Sequence, residues 1–329
     1  MRKVILYIIG FVLLCFAIPI IFANRESFYT ITTPSPENET QEYTYQKYGT
    51  VSLLHKETGE IETLNMDEYL YGVVSAEMPA SYEKEALKAQ AIVARTYTAY
   101  KMHKGSKHEN ADICDKAECC QAWISKNERF EKWNEADREN NWQKITEAVD
   151  NTTGQIITYN GEPINAFFHS NSGGTTETAN NVWGGENFPY LQSVPTSGEE
   201  VYTQYSSTVT LTKDELLQKI KEKYSEVEID FNLQDAIQIL EYTDSGRIKT
   251  IKFGSVNISG VEAREIFGLK SAKFNIEIGE NITFNVVGYG HGVGLSQTGA
   301  DAMAKTGATS EQIINHYYTG IKIENIWIE

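Results

Sequence analysis

With 329 residues, 41% hydrophobic and 22% charged, the chain has the length for one large domain or two modest ones and the composition of a folded protein. Its 45 Asp and Glu against 29 Lys and Arg give a net charge of −16. That balance excludes general nucleic-acid binding, which needs cations to neutralise phosphates, and docking to anionic lipid through a polybasic face.

Taken in chain order, Arg2 and Lys3 precede an uncharged stretch, residues 4–23, of the length that crosses a bilayer as a helix. No A-x-A-like cleavage pattern precedes Asn24, so the stretch reads as an uncleaved anchor. Residues 1–3 then stay in the cytoplasm, and the rest is expected outside it, on a single-pass protein of the cell membrane. Residues 24–48 are polar, with Pro34 and Pro36, and read as a flexible tether. Folded structure is expected over residues 49–329.

VSLLHKETGEIETL alternates and turns at Thr58-Gly59, as a hairpin does. MDEYLYGVVSAE has helical spacing at Leu70, Val73 and Val74 and ends before Pro79. SYEKEALKAQAIVARTYTAYKMH is the strongest helix, with Ala86, Ala89, Val93 and Tyr97 along one stripe. A cysteine-bearing loop follows, then a charged helix expected over 129–149. QIITYNGEPINAFFHS reads as two strands around Asn160-Gly161. Residues 200–285 show a helix, strands and a short helix, a candidate inserted lobe. TFNVVGYG then leads to a glycine-rich segment, and EQIINHYYTG closes as a helix. The expected class is mixed α+β, a single domain with a cleft.

Four constellations bear on chemistry. Glu77 sits in the apolar run VVSAEMPA, where an anion is penalised by desolvation and its pKa rises unless a cation pairs with it. An ion pair with Arg95 and a general acid at a helix end are the two readings. HSNSGGTTETANNVWGGENFPYL, from His169, joins a small, hydroxyl-rich loop to Trp183, Phe188 and Tyr190. It suits sugar hydroxyls and ring faces, and equally a tight turn over buried aromatics. GYGHGVGLSQTGA lacks the phosphate-loop ending and reads as a backbone-rich pocket wall with His291, Ser296 and Gln297 as polar groups. Finally, His108, Cys114 and Cys120 offer imidazole and thiolates, the ligands zinc prefers, with Cys119 and His103 as alternatives and a free-thiol cluster, a disulfide or a redox switch as rivals.

AEMPASYEKEALKAQAIVARTY, the FFHSNSGGTT…VWGG…YL block and the GHGVGLSQTGADAMAKTG…HYY ending, in this order, resemble the stage II sporulation protein D family, which is related to amidase enhancers. The resemblance runs from about Gly49 to the C-terminus and implies a lytic transglycosylase acting on peptidoglycan during engulfment of the forespore. It places the catalytic glutamate on Glu77 and substrate-binding positions on Gln90, Arg95, His169, Ser170, Ser172, Gly173, Gly174, His291, Ser296 and Gln297, with Gly292 and Gly294 in the same third block. In clostridial-type members a cysteine precedes a Q-x-aromatic element, here Cys120-Gln121-Ala122-Trp123, which implies Zn²⁺ on His108, Cys114 and Cys120 rather than Cys119.

The implied reaction uses one carboxyl where ordinary glycosidases use two. Protonated Glu77 would donate to the oxygen between N-acetylmuramic acid and N-acetylglucosamine. Its carboxylate would then take the C6 hydroxyl proton as that oxygen closes on C1 to a 1,6-anhydro end. The implied partners are glycan strands stripped of stem peptides, an amidase that strips them and a membrane scaffold protein. The rivals are a non-catalytic glycan-binding amidase enhancer and a zinc-dependent cell-wall hydrolase.

Overall fold

The computed structural model describes residues 44–45, 47–185 and 188–328. The anchor assigned to residues 4–23, and the tether up to residue 43, lie outside the described residues. Thr44–Tyr45 (β1), inside the stretch read as tether, pairs antiparallel with Trp327–Ile328, so ordered backbone starts before Gly49. No helix among the described residues is long and apolar enough to cross a membrane.

Alternation makes β2 (Thr50–Leu54) and β3 (Ile61–Asn65) an antiparallel pair, with Val51 and Leu53 fully buried on one face. The chain passes directly into α1 (Met66–Glu77), whose first turn is closed by a capping box between Asn65 and Glu68. Proline chemistry stops it. Met78 precedes Pro79, a position that disfavours the helical region, and takes φ −120°, ψ 140°. Glu77 is thereby left as the last helical residue.

α2 (Lys84–Lys104) is more deeply set than its predicted stripe. Nearly every residue from Ala86 to Ala99 is buried, because its alanines allow neighbours to approach on all sides. β4 (Ile113–Cys114) then adds to β2 in parallel. The single charged helix expected over 129–149 is instead two. α3 (Lys126–Lys132), capped by Ser125 and Glu128, ends at Trp133, which adopts an extended backbone. A 3₁₀ turn, Glu135–Asp137, precedes α4 (Arg138–Asp150). The break is held by Arg138, whose Nε donates to the Trp133 carbonyl at 3.2 Å.

β5 (Gln155–Tyr159) turns through Asn160 and Gly161, at φ 54° and 80°, into β6 (Glu162–Pro163). The second strand is shorter than expected. Phe168–His169 (β7) leaves that sheet to pair in parallel with Leu295–Ser296, and α5 (Ala179–Trp183) follows. A second hydrophobic cluster then forms from β8 (Ser206–Thr212), α6 (Lys213–Lys221), β9 (Ile237–Tyr242), β10 (Ile248–Phe253), β11 (Val256–Ser259), α7 (Gly260–Phe267), β12 (Phe274–Ile278) and β13 (Asn281–Val287). Its antiparallel sheets, ordered β12-β13-β8 and β11-β10-β9, enclose Leu216, Ile251, Phe253, Phe267 and Phe284.

The chain returns through β14 (Leu295–Ser296), α8 (Gln297–Lys305), α9 (Ser310–Tyr317), β15 (Lys322–Asn325) and β16 (Trp327–Ile328). The main core is built around α2, against α1, α4, α8, α9 and β5. The architecture is mixed α and β with several small sheets, as expected. Charged side chains join the two clusters. Arg247, in the β9–β10 turn, donates to the carbonyls of Ser172 at 2.8 Å and Thr175 at 2.9 Å, and Lys273 Nζ donates to that of Gly173 at 2.8 Å.

Candidate active site

Glu77 stands at the C-terminal end of α1, half-buried, in a cleft of about 600 Å³. One wall is its own segment through Ser81; the facing residues include Arg129, Trp133, Asp137, Asn141 and Gln204. Burial pushes the Glu77 carboxyl up to about 7, against smaller downward effects of the Ala122 N–H and the Gln297 side chain. The ion pair with Arg95 does not form. Arg95 is fully buried and its Nη2 lies 2.9 Å from Asp67 Oδ1, with further bonds to the carbonyls of Val149 and Gln155.

The Ala122 N–H reaches Glu77 Oε1 at 2.6 Å, from a loop tied down on both sides. Gln121 Nε2 donates to Tyr69 and Thr98 hydroxyls at 2.9 Å each. Trp123 lies against α1 at Gly72, where a Cβ would come within 2.2 Å of the indole nitrogen. Upstream in the same loop, one ligand atom each from His108, Cys114, Cys119 and Cys120 lies within 4.8 Å of the others. His108 Nε2 is 3.3 Å from the Cys120 sulfur and 3.5 Å from that of Cys119, and the cysteines are free. Such separations suit ligands around one tetrahedral ion, and the donor set is the one zinc prefers. Cys119 and Cys120 are thus both at the cluster rather than alternatives. His103 is not: its ring meets Tyr48 and Glu162.

The later blocks divide. Gln297 opens α8 and joins Glu77 to α2, its Nε2 lying 3.5 Å from Gln90 Oε1. Gln90 is buried, and its own Nε2 has no partner. Ser172, Gly174 and Ser296, expected to meet substrate, instead surround Glu199. That fully buried carboxylate accepts from Ser172 N at 2.9 Å, Gly174 N at 3.0 Å, Thr298 Oγ1 at 3.0 Å, and the hydroxyls of Ser172 and Ser296. The Gly173 N–H is held by the Asn171 side chain at 2.9 Å, and the Ser170 carbonyl accepts from Thr298 N at 3.0 Å. These bonds hold the loop to α8; Ser172, Gly173 and Ser296 are buried, while Ser170 and Gly174 stay partly exposed.

The rings of His169 and His291 meet at a tilt of 56°, with centroids 5.6 Å apart. Burial holds His169 down to about 3 and His291 well below the usual range, so both are neutral. His169 Nδ1 donates to the Val293 carbonyl at 3.1 Å, and its Nε2 is buried without a partner. His291 Nδ1 accepts from Val293 N at 3.0 Å. Trp183, half exposed, closes over Phe167 and His291 at centroid distances of 4.5 and 5.0 Å, an aromatic face of the kind that suits sugar rings.

Several residues escaped the sequence. Glu199 is one acid among many in a polar loop, and nothing in SGEEV marks it. Arg129, Trp133 and Asp137 lie on what reads as a solvated charged helix, and the break at Trp133 turns them into a cleft wall.

Residues 54–159 match the family described as Stage II sporulation protein. Over 304 residues the chain is 35% identical to Stage II sporulation protein D of Bacillus subtilis, covering 92% of this chain and 86% of that one. It is 36% identical over 267 residues to Stage II sporulation protein D of Bacillus amyloliquefaciens, covering 80% and 75%. An amidase enhancer of Bacillus subtilis is 29% identical over 303 residues, covering 76% of this chain and 39% of its own length.

Proposed function

The chain belongs to the stage II sporulation protein D family, and from that premise we propose that it is a peptidoglycan lytic transglycosylase with Glu77 as first its acid and then its base. Membership sets it among proteins of sporulation. The observation that carries the reaction is a glutamate with a carboxyl pKa near 7 on the wall of an open cleft. Near neutral pH a large share is protonated and can donate to the glycosidic oxygen. The carboxylate left behind gains the Ala122 N–H as a charge-assisted partner, then accepts the C6 hydroxyl proton as the anhydro ring closes. The ring-closing oxygen belongs to the same sugar, so no positioned water is needed.

His108, Cys114, Cys119 and Cys120 would hold zinc as a cross-link rather than a Lewis acid, because four protein ligands leave no open position. That disfavours a zinc-dependent hydrolase. The membrane anchor, the extracytoplasmic placement and the work alongside a peptide-stripping amidase and a membrane scaffold are part of the same proposal.

A second reading, ordinary hydrolysis, is favoured by Asp137, a second carboxylate lining the cleft. Mass spectrometry of peptide-free glycan strands digested by wild type and Glu77→Gln separates the outcomes. Products one water lighter than hydrolysis gives, lost in the variant, support the transglycosylase; hydrolysed ends lost on Asp137→Asn support the second reading. Uncleaved strands would leave a non-catalytic amidase enhancer, the role for which one relative is named.

A further inference from the structure

Arg129 lines the Glu77 cleft with its charge unpaired. Among the described residues no carboxylate lies within ion-pair distance of it, and its Nε is buried without a partner. Its guanidinium carbon sits 4.7 Å from the centre of the Trp133 ring, which holds the plane in place. Both residues line the cleft that contains Glu77 and Asp137, yet Arg129 pairs with neither. Nor does it tune the acid: a nearby cation would lower the Glu77 pKa, whereas the groups acting on that carboxyl are burial, Ala122 and Gln297.

A partly buried guanidinium fork without an anion is a site for one, because its geometry matches a carboxylate in two parallel hydrogen bonds. We propose that Arg129 binds the lactyl carboxylate of a muramic acid residue and so reads whether that carboxylate is free. The inference rests on the reading of the cleft as the glycan-strand site. In a strand without stem peptides, the lactyl group carries the only anion; the sugars otherwise offer hydroxyls and acetamides. Where a stem peptide is attached, the same carbon is an amide, neutral and bulky. The guanidinium would then forgo that pairing, a loss comparable to that of a charged hydrogen bond. Arg129 is thus a specificity residue, distinct from the proton-transferring Glu77.

Binding by catalytically silenced protein tests this. The probes are peptide-free glycan strands and the same strands with their lactyl carboxylates converted to methylamides, titrated by calorimetry into Glu77→Gln protein. The free-acid strands are expected to bind about 10- to 100-fold more tightly than the methylamides. Adding Arg129→Gln should abolish that ratio, and Arg129→Lys, a point charge without the fork, should keep only part of it. Thermal unfolding checks that each variant is folded, and Arg129→Lys serves alone if Arg129→Gln is not. Equal binding of both probes, no binding of either, or a ratio that survives loss of the guanidinium overturns the proposal. Because no cleavage is measured, a strand-binding protein that fails to cut would overturn the transglycosylase reading and leave this one standing.

Discussion

The backbone N–H of Ala122 donates to Glu77 Oε1 at 2.6 Å, and Ala122 stands two residues after Cys120, where three sulfurs and an imidazole converge. The acid and the candidate metal cluster therefore share one short loop. Gln121, between them, is itself fixed to Tyr69 and Thr98.

Zinc is expected at one ion per chain by elemental analysis, and its removal should act on Glu77 through that loop. The Ala122 bond lowers the Glu77 pKa, so a loosened loop should raise it and move the basic limb of the kcat/KM profile upward. Cys119→Ser should weaken zinc retention as Cys120→Ser does. An unchanged profile in chelated, folded protein would separate the cluster from the acid.

The Glu77 pKa also makes a stability prediction. Its folded value of about 7 lies above its ordinary 4.5, so the folded state binds the extra proton between those limits. Stability relative to the protonated form is complete below about 4.5, falls as pH rises to about 7, and is level beyond. The ionised carboxyl then costs roughly 3 kcal/mol, by the exchange rate of one pKa unit. Glu77→Gln, neutral and of the same shape, should match wild type in urea unfolding at pH 4 and exceed it by up to that amount at pH 8.5. Activity should fall through pH 7 over the same range, because the acid form does the donating. A variant no more stable at pH 8.5 would mean that Glu77 is solvated.

Arg95, expected at the substrate, is instead a clamp. Its guanidinium joins Asp67 at 2.9 Å, Val149 and Gln155, while Asp67 also accepts from Tyr45 at 2.6 Å and Thr153 at 3.1 Å. Asp67→Ala strands a buried cation and should cost about 3–5 kcal/mol. KM for glycan strands, measured on the folded fraction, should not move. A raised KM with unchanged stability would return Arg95 to the substrate.

What the sequence made legible depended on local chemistry. The end of α1 could be read because Pro79 dictates the backbone of Met78, and the Asn160-Gly161 turn because both residues accept positive φ. Glu77 stood out as one carboxyl in an apolar run. The break at Trp133 could not be read, since neither proline nor glycine marks it and Arg138 holds it from five residues away. The burial of Ser172 and Ser296 against Glu199 could not be read for a related reason. A hydroxyl in a small-residue loop has the same appearance whether it meets a sugar or a buried acid, and its partner lies far along the chain.

That partner, Glu199, supports the last prediction. Its two oxygens face only donors: Ser172 N, Ser296 and Thr298 on one, Ser172 Oγ and Gly174 N on the other. Glu199→Gln keeps the shape but sets an NH₂ against N–H and O–H groups, leaving buried donors unpaired at about 1–3 kcal/mol each. Ser296→Ala removes one donor from a carboxylate that retains others, together with the side-chain cap of α8, and should cost about 1–2 kcal/mol. Because Ser296 is the N-cap of α8 and Gln297 the next residue, Glu199→Gln should also disturb the amide that acts on Glu77. The expected result is a lowered urea midpoint together with a raised apparent pKa in kcat/KM, with Ser296→Ala between the variant and wild type on both. A carboxylate that bound glycan directly would instead raise KM and leave the midpoint in place.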